Sequence, residues 1–150
     1  MKLADKAEAI LALLQAVDSE EWELEMTFRL SLDPITDMRS GIEGVFIVPV
    51  VNDYNLDEST KRRNIISINS TPRVAVTFAR PFASKDSAGI DVSTWEEVKK
   101  VINFREQVEL KIMKGMANIR AVDSEPPLET TFDKRWFLAM TEFHFHAIQC

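Results

Sequence analysis

Eleven residues near the start of the chain alternate without a break: Trp22, Leu24, Met26, Phe28, Leu30 and Leu32 in one phase, Glu23, Glu25, Thr27, Arg29 and Ser31 in the other. Period two over this length predicts a half-buried β-strand with one apolar and one wet face. At roughly 3.3 Å per residue it would run about 36 Å, whereas a strand usually has about 5–6 residues. A strand this long overshoots the core of a small domain. A neighbouring subunit is the natural cover for its free end, so the pattern points to assembly rather than catalysis. The wet-face residues Glu23, Glu25 and Arg29 are then candidates for a subunit or lumen contact.

The chain has 150 residues, enough for a single domain over 1–150 with a sizeable core. Hydrophobic content of 45% and charged content of 28% are those of an ordinary globular domain and argue against disorder. No apolar run is long enough for a membrane-spanning helix. The first residues carry charge where a signal peptide needs an apolar stretch, so the expectation is a protein made and used in a cytoplasm. The single cysteine, Cys150, cannot form an internal disulfide, and a chain end is a poor place to depress a thiol pKa.

Net charge is −6 with a pI near 5.0. Tight nucleic-acid binding usually needs a basic patch to replace counterions. Lys61, Arg62 and Arg63 form the one basic run, read as a solvated loop that could contact an acidic partner. An acidic wall, by contrast, repels phosphate and lets DNA pass without sticking.

Along the chain, Ala7, Ile10, Leu11, Leu14 and Val17 recur at helical spacing and predict a helix over 3–17, with Asp5 and Glu8 as a capping box. Asp33-Pro34 should end the long strand. A loop at 33–44 leads to the apolar run 45–51, which Pro49 demotes to an edge or bulged strand. A polar segment follows at 52–64. Residues 65–79 read as a strand that Thr71-Pro72 could interrupt, and 80–92 as another loop. Ser93 and Thr94 are candidate N-caps for a second helix reaching about Lys114. Its predicted buried stripe is Trp95, Val98, Val101, Ile102, Val108 and Ile112, with Arg105 snorkelling to the rim and Gly115 at C′. A short strand at 118–122 and a turn at 124–127 precede a long closing strand, 136–148. Both of its faces are partly apolar, which suits a central strand or one covered by another subunit. The fold class is α+β: a mainly antiparallel sheet with two helices packed on one face, long loops and overlong strands.

Candidate chemistry is sparse. Glu142, His144 and His146 fall on one strand face, and His-x-His can bind zinc or iron. The chain has no further histidine, so other ligands would be carboxylates. Asp53 to Ser59 carries oxygen ligands at alternate positions like half a calcium loop. Glu58 stands at the glycine position, though, and Asn64 where a Glu is required. The four glycines make no phosphate cradle, and there is no Gly-x-Ser-x-Gly elbow. Paired carboxylates such as Glu20-Glu21 and Glu96-Glu97 sit where capping explains them. No catalytic residue, metal or cofactor is expected.

Several stretches, in order, resemble the tail terminator and tail completion (head–tail joining) proteins of long-tailed bacteriophages. They are Ala-Asp-Lys-Ala-Glu-Ala-Ile-Leu-Ala-Leu-Leu, Glu-Leu-Glu-Met-Thr-Phe-Arg-Leu-Ser-Leu, Gly-Val-Phe-Ile-Val-Pro-Val, Pro-Arg-Val-Ala-Val-Thr-Phe, the helix from Thr94, and Arg-Trp-Phe-Leu-Ala-Met-Thr-Glu-Phe-His-Phe. The likeness covers most of the chain and rests on pattern and element order, without a specific motif. It implies a non-enzymatic virion protein, assembled in the host cytoplasm into a homo-oligomeric ring, usually a hexamer. The ring would sit on the head-proximal end of the tail tube, stop tube polymerisation and meet the head–tail connector protein, with DNA passing through the lumen. The tail tube protein and the connector are the implied partners. The alternative is a small cytoplasmic metal-binding domain or enzyme using Glu142, His144 and His146.

Overall fold

Alternating apolar residues of three long strands build the core. Val45, Ile47, Val74, Val76, Phe78, Phe137, Ala139, Phe143 and Phe145 all point to one side of a sheet, where Ala7, Ile10 and Leu14 of one helix and Val101, Phe104, Val108 and Ile112 of another cover them. These positions come from a computed structural model that describes residues 2–56, 68–81, 94–126, 128–131, 135–146 and 148–149. Its elements, in chain order, are α1 (Leu3–Gln15), a 3₁₀ turn (Ser19–Glu21), β1 (Phe28–Leu30), α2 (Pro34–Arg39), β2 (Gly44–Leu56) and β3 (Ile68–Pro81). After these come α3 (Thr94–Gly115), β4 (Ile119–Ser124), β5 (Leu128–Thr131), β6 (Arg135–Phe145) and β7 (Ile148–Gln149). The sheet runs β1-β2-β3-β6-β4. β5 shares the edge of β6 with β4, and β7 continues beside β3. Every pairing is antiparallel except β1 with β2. The class is α+β, and β6 is central.

The strand expected over 22–32 is only Phe28–Leu30. Phe28 lies opposite Val45 in a parallel register, and β2 begins at Gly44, so residues before Phe28 have no strand to pair with. Residues 22–28 still alternate. Trp22, Leu24, Met26 and Phe28 are half-buried against the core, and Glu23, Glu25 and Thr27 are exposed. The segment is extended chain laid on the core. The overlong strands lie elsewhere: β2 has 13 residues and β3 has 14, and they pair from Gly44↔Ala79 to Leu56↔Ile68 with a bulge between Pro49 and Val51. Thr71-Pro72 does not interrupt β3.

Other expectations shift for local reasons. The stretch read as a loop over 33–44 contains α2, which Asp33 caps by accepting from the Thr36 N–H and Pro34 starts. At α1 the N-cap is Lys2, whose N–H donates to Asp5. Gly115 is the last residue of α3 and not a left-handed C′. A Cβ there would stand 2.5 Å from Leu13 Cδ2, so the glycine lets α1 approach. Asn118, with φ 67°, makes the left-handed turn into β4. Trp95 is 63% exposed rather than buried. Arg105, expected at the rim, is buried, because α3 turns its Phe104–Arg105 side onto the sheet.

Candidate functional site

Strand alternation that sends one set of side chains to α1 and α3 sends the other set to the opposite face. There Met38 of α2 packs on Phe46, Ala79 and Trp136, with Ile42, Val48 and Leu138 around them. This short helix is a small lid on a wide sheet. Beside it an apolar cleft of about 300 Å³ opens between Leu32, Pro34 and Ile35 on one wall and Val48, Val50, Ala75, Thr77, Leu138 and Met140 on its floor. Its charged lining residues are Asp33 and Glu125. The cleft is open to solvent: on its wall Leu32 is 87% exposed and Ile35 49%, and on its floor Val50 is 43% exposed. These apolar groups stand open to solvent together. Asp33 stays anionic, because the hydroxyl and then the backbone N–H of Thr36 hold its carboxyl below the ordinary value of 3.8.

The same face turns polar beyond Met140. Arg73 Nη1 donates to Glu142 Oε1 at 2.8 Å. His144 Nε2 lies 3.1 Å from that same oxygen and 3.0 Å from Asp123 Oδ2. β3, β6 and β4 bring these groups together through the registers Arg73↔His144 and Asp123↔Glu142. Two of the three residues of the metal-binding alternative, Glu142 and His144, therefore meet. His146 lies past the end of β6, exposed, with its N–H on Asn118 O at 2.7 Å. Among the described residues no group of three or more His, Cys, Asp or Glu side chains is placed to hold a metal ion. The cluster is an Arg73–Glu142 ion pair between β3 and β6, with His144 and Asp123 beside it.

The remaining sequence candidates lie elsewhere. Glu23 and Glu25 are exposed on the extended segment, and Glu23 donates its backbone N–H to Gln107 Oε1 of α3 at 2.7 Å. Arg29 is half-buried in β1. Lys61, Arg62 and Arg63 lie outside the described residues, as does the second half of the calcium-like segment. Its first half cannot curl around an ion, because Asp53 and Asn55 are paired in β2 opposite Thr71 and Asn69. Sequence reasoning missed the cleft. Its one local signal is Leu32, which continues the apolar phase of Trp22 to Leu30 past the edge of the core and lies 87% exposed.

No protein-family model matches the chain, and no curated protein matches it.

Proposed function

We propose that this chain is a structural ring subunit seated at the head-proximal end of a phage tail tube, ending tube growth and joining the tail to the head connector. The observation that carries the reading is the β2–β3 ladder. From Asn52↔Pro72 outward, the only other described strand beside it is β7, at Asn69 and Ser70. These five register pairs span about 16 Å, and along them the β2 edge has no partner among the described strands. Unpaired strand edges of this kind are covered in stable proteins, and a neighbouring subunit supplies that cover. The open apolar face and the net charge of −6 around a DNA path are consistent with the same role.

The resemblance in element order adds the tail to the ring. A tube of stacked rings offers the same edge at every layer and grows until something covers it. Electron microscopy of a lysate carrying an amber mutation in this gene tests the role. The expected result is DNA-filled heads beside tails that are unjoined or irregular in length. Normal tails joined to heads would exclude it.

A further inference from the structure

We propose that the outer face of α3 docks into the apolar cleft of a second copy of this chain, head to tail. The inference rests on the ring reading for its setting and names the two surfaces that meet. Seven large apolar side chains are exposed among the described residues. They form two sets. Leu32, Ile35 and Val50 belong to the cleft, and Leu30 adjoins it, sharing a surface recess with Leu32 and Pro49. Trp95, Leu110 and Met113 all lie on α3. At about 100° per residue they fall within roughly 60° of arc, with Trp95 and Met113 in line about 27 Å apart. The opposite stripe of α3, Val101, Phe104, Val108 and Ile112, is buried against the sheet. The two exposed sets are therefore on opposite sides of the molecule.

Charge decides which surfaces pair. The charged residues of the cleft are Asp33 and Glu125, so two clefts facing each other would set carboxylates against carboxylates. Within the arc of that stripe α3 carries Lys99 and Glu106, and along one flank Lys100, Lys111 and Lys114 with Glu96. A stripe with three lysines along one flank suits an apolar groove with an acidic rim, and a helix in a groove is an established recognition geometry. Because donor and acceptor surfaces differ and lie on opposite faces, each copy binds one neighbour and is bound by another. Such a contact is heterologous and propagates into a ring or an open filament.

Sedimentation velocity tests the pairing with Val50→Glu in the cleft and a Leu110→Glu, Met113→Glu double variant on α3. Circular dichroism and the thermal midpoint check that both stay folded. Wild type should associate, and each variant alone should lose association by roughly tenfold or more at the same concentration. An equal mixture should recover a complex that stops at two chains, since one intact cleft then meets one intact stripe. Glu125→Lys should weaken assembly, and adding Lys99→Glu and Lys114→Glu in the same chain should restore it. Rings that survive both sets of variants would overturn the docking and leave the ring reading standing. A mixture that stays monomeric, or a wild type that never associates, would also overturn it. So would a cleft variant that assembles normally but no longer binds tail tube protein, because the cleft would then belong to the tube. The ring-and-tail reading falls separately, by normal joined tails in the amber lysate.

Discussion

Arg105 reaches from α3 to the underside of the sheet and donates its Nε–H to the Thr141 hydroxyl at 3.1 Å. Its Nη2 donates to Met140 O at 3.1 Å, and the Glu109 carboxylate stands 3.9 Å from its Nε. Thr141 in turn donates to Glu109 at 3.2 Å, and Ser124 of β4 bonds the same carboxylate. One buried cation thus fastens the long helix to the central strand and its neighbour. Removing it takes the cation from beside Glu109, which keeps the Thr141 and Ser124 hydroxyls, and one of two donors from the Met140 carbonyl, which keeps the Glu125 N–H. Arg105→Ala should cost about 1.5–3 kcal/mol of unfolding free energy through the loss of its hydrogen bonds to Thr141 and Met140. Arg105→Lys should recover only part of that, since an ammonium lacks the fork that reaches both acceptors. Urea midpoints for the two variants check this, and a loss under about 1 kcal/mol for Arg105→Ala would contradict it.

Gly44 enters β2 with φ 151°, and a Cβ there would stand 2.8 Å from the Thr27 carbonyl oxygen. That oxygen already accepts from Val45 N–H at 2.8 Å. The obstacle is backbone, so it cannot swing aside as a side chain would. Gly44→Ala should destabilise by about 1–3 kcal/mol through strain and displacement of β1. Thermal unfolding reads the loss, and an unchanged midpoint would show that β1 shifts freely.

Asp33 caps α2, and its carboxyl is held below 3.8 mainly by the Thr36 hydroxyl, then by the Thr36 N–H. Its folded pKa is lower than its unfolded one, so its contribution is fully present above the unfolded value. That contribution fades as pH falls from about 4 through the lower folded value. Amide exchange within α2 should therefore accelerate in acid relative to α1. In Asp33→Asn that relative change should shrink. An α2 that loses protection in acid equally in both proteins would point to another group.

The polar end of the open face makes a separate prediction. Arg73 already donates to Glu142 Oε1, and His144 faces that oxygen and Asp123. Protein purified without chelator should carry well under one metal per chain by elemental analysis. Zinc or iron at one per chain, lost in a His144→Ala, His146→Ala variant, would revive the metal-binding alternative.

What the sequence revealed depends on whether a pattern is local. The alternation of Val74, Val76 and Phe78 and the helical spacing of Ile10, Leu14, Val101 and Val108 placed β3, α1 and α3, because burial of one face is written into neighbouring residues. Trp22 to Leu32 misled for the same reason. Alternation reports which side of a chain is wet, and an extended segment lying on a core alternates as a paired strand does. Asp33-Pro34 can end a strand or cap a helix, and here it does the second. The cleft was illegible because its residues come from segments near 32–35, 48–50, 75–77, 125–126 and 138–140. Nothing in any one segment shows that a six-residue α2 leaves the rest of that face open.

Glu23 and Glu25 test whether the extended segment borders the assembly. Both are exposed, and the bond of Glu23 to Gln107 uses its backbone N–H, so a change of side chain leaves it intact. Replacing both with Lys should shift stability by no more than about 0.5 kcal/mol. Each swap nevertheless raises the net charge of −6 by two, at a site beside α3, the helix proposed to enter a neighbour's cleft. Added positive charge there either repels the neighbour or, at a lumen, draws passing DNA into contact. Phage carrying the double variant should therefore give a reduced yield. Purified protein separates the two causes: weakened self-association that recovers with salt marks a subunit contact, whereas normal rings that now retain DNA mark the lumen. A normal yield would remove this segment from the assembly surface and leave the cleft and α3 as the surfaces to pursue.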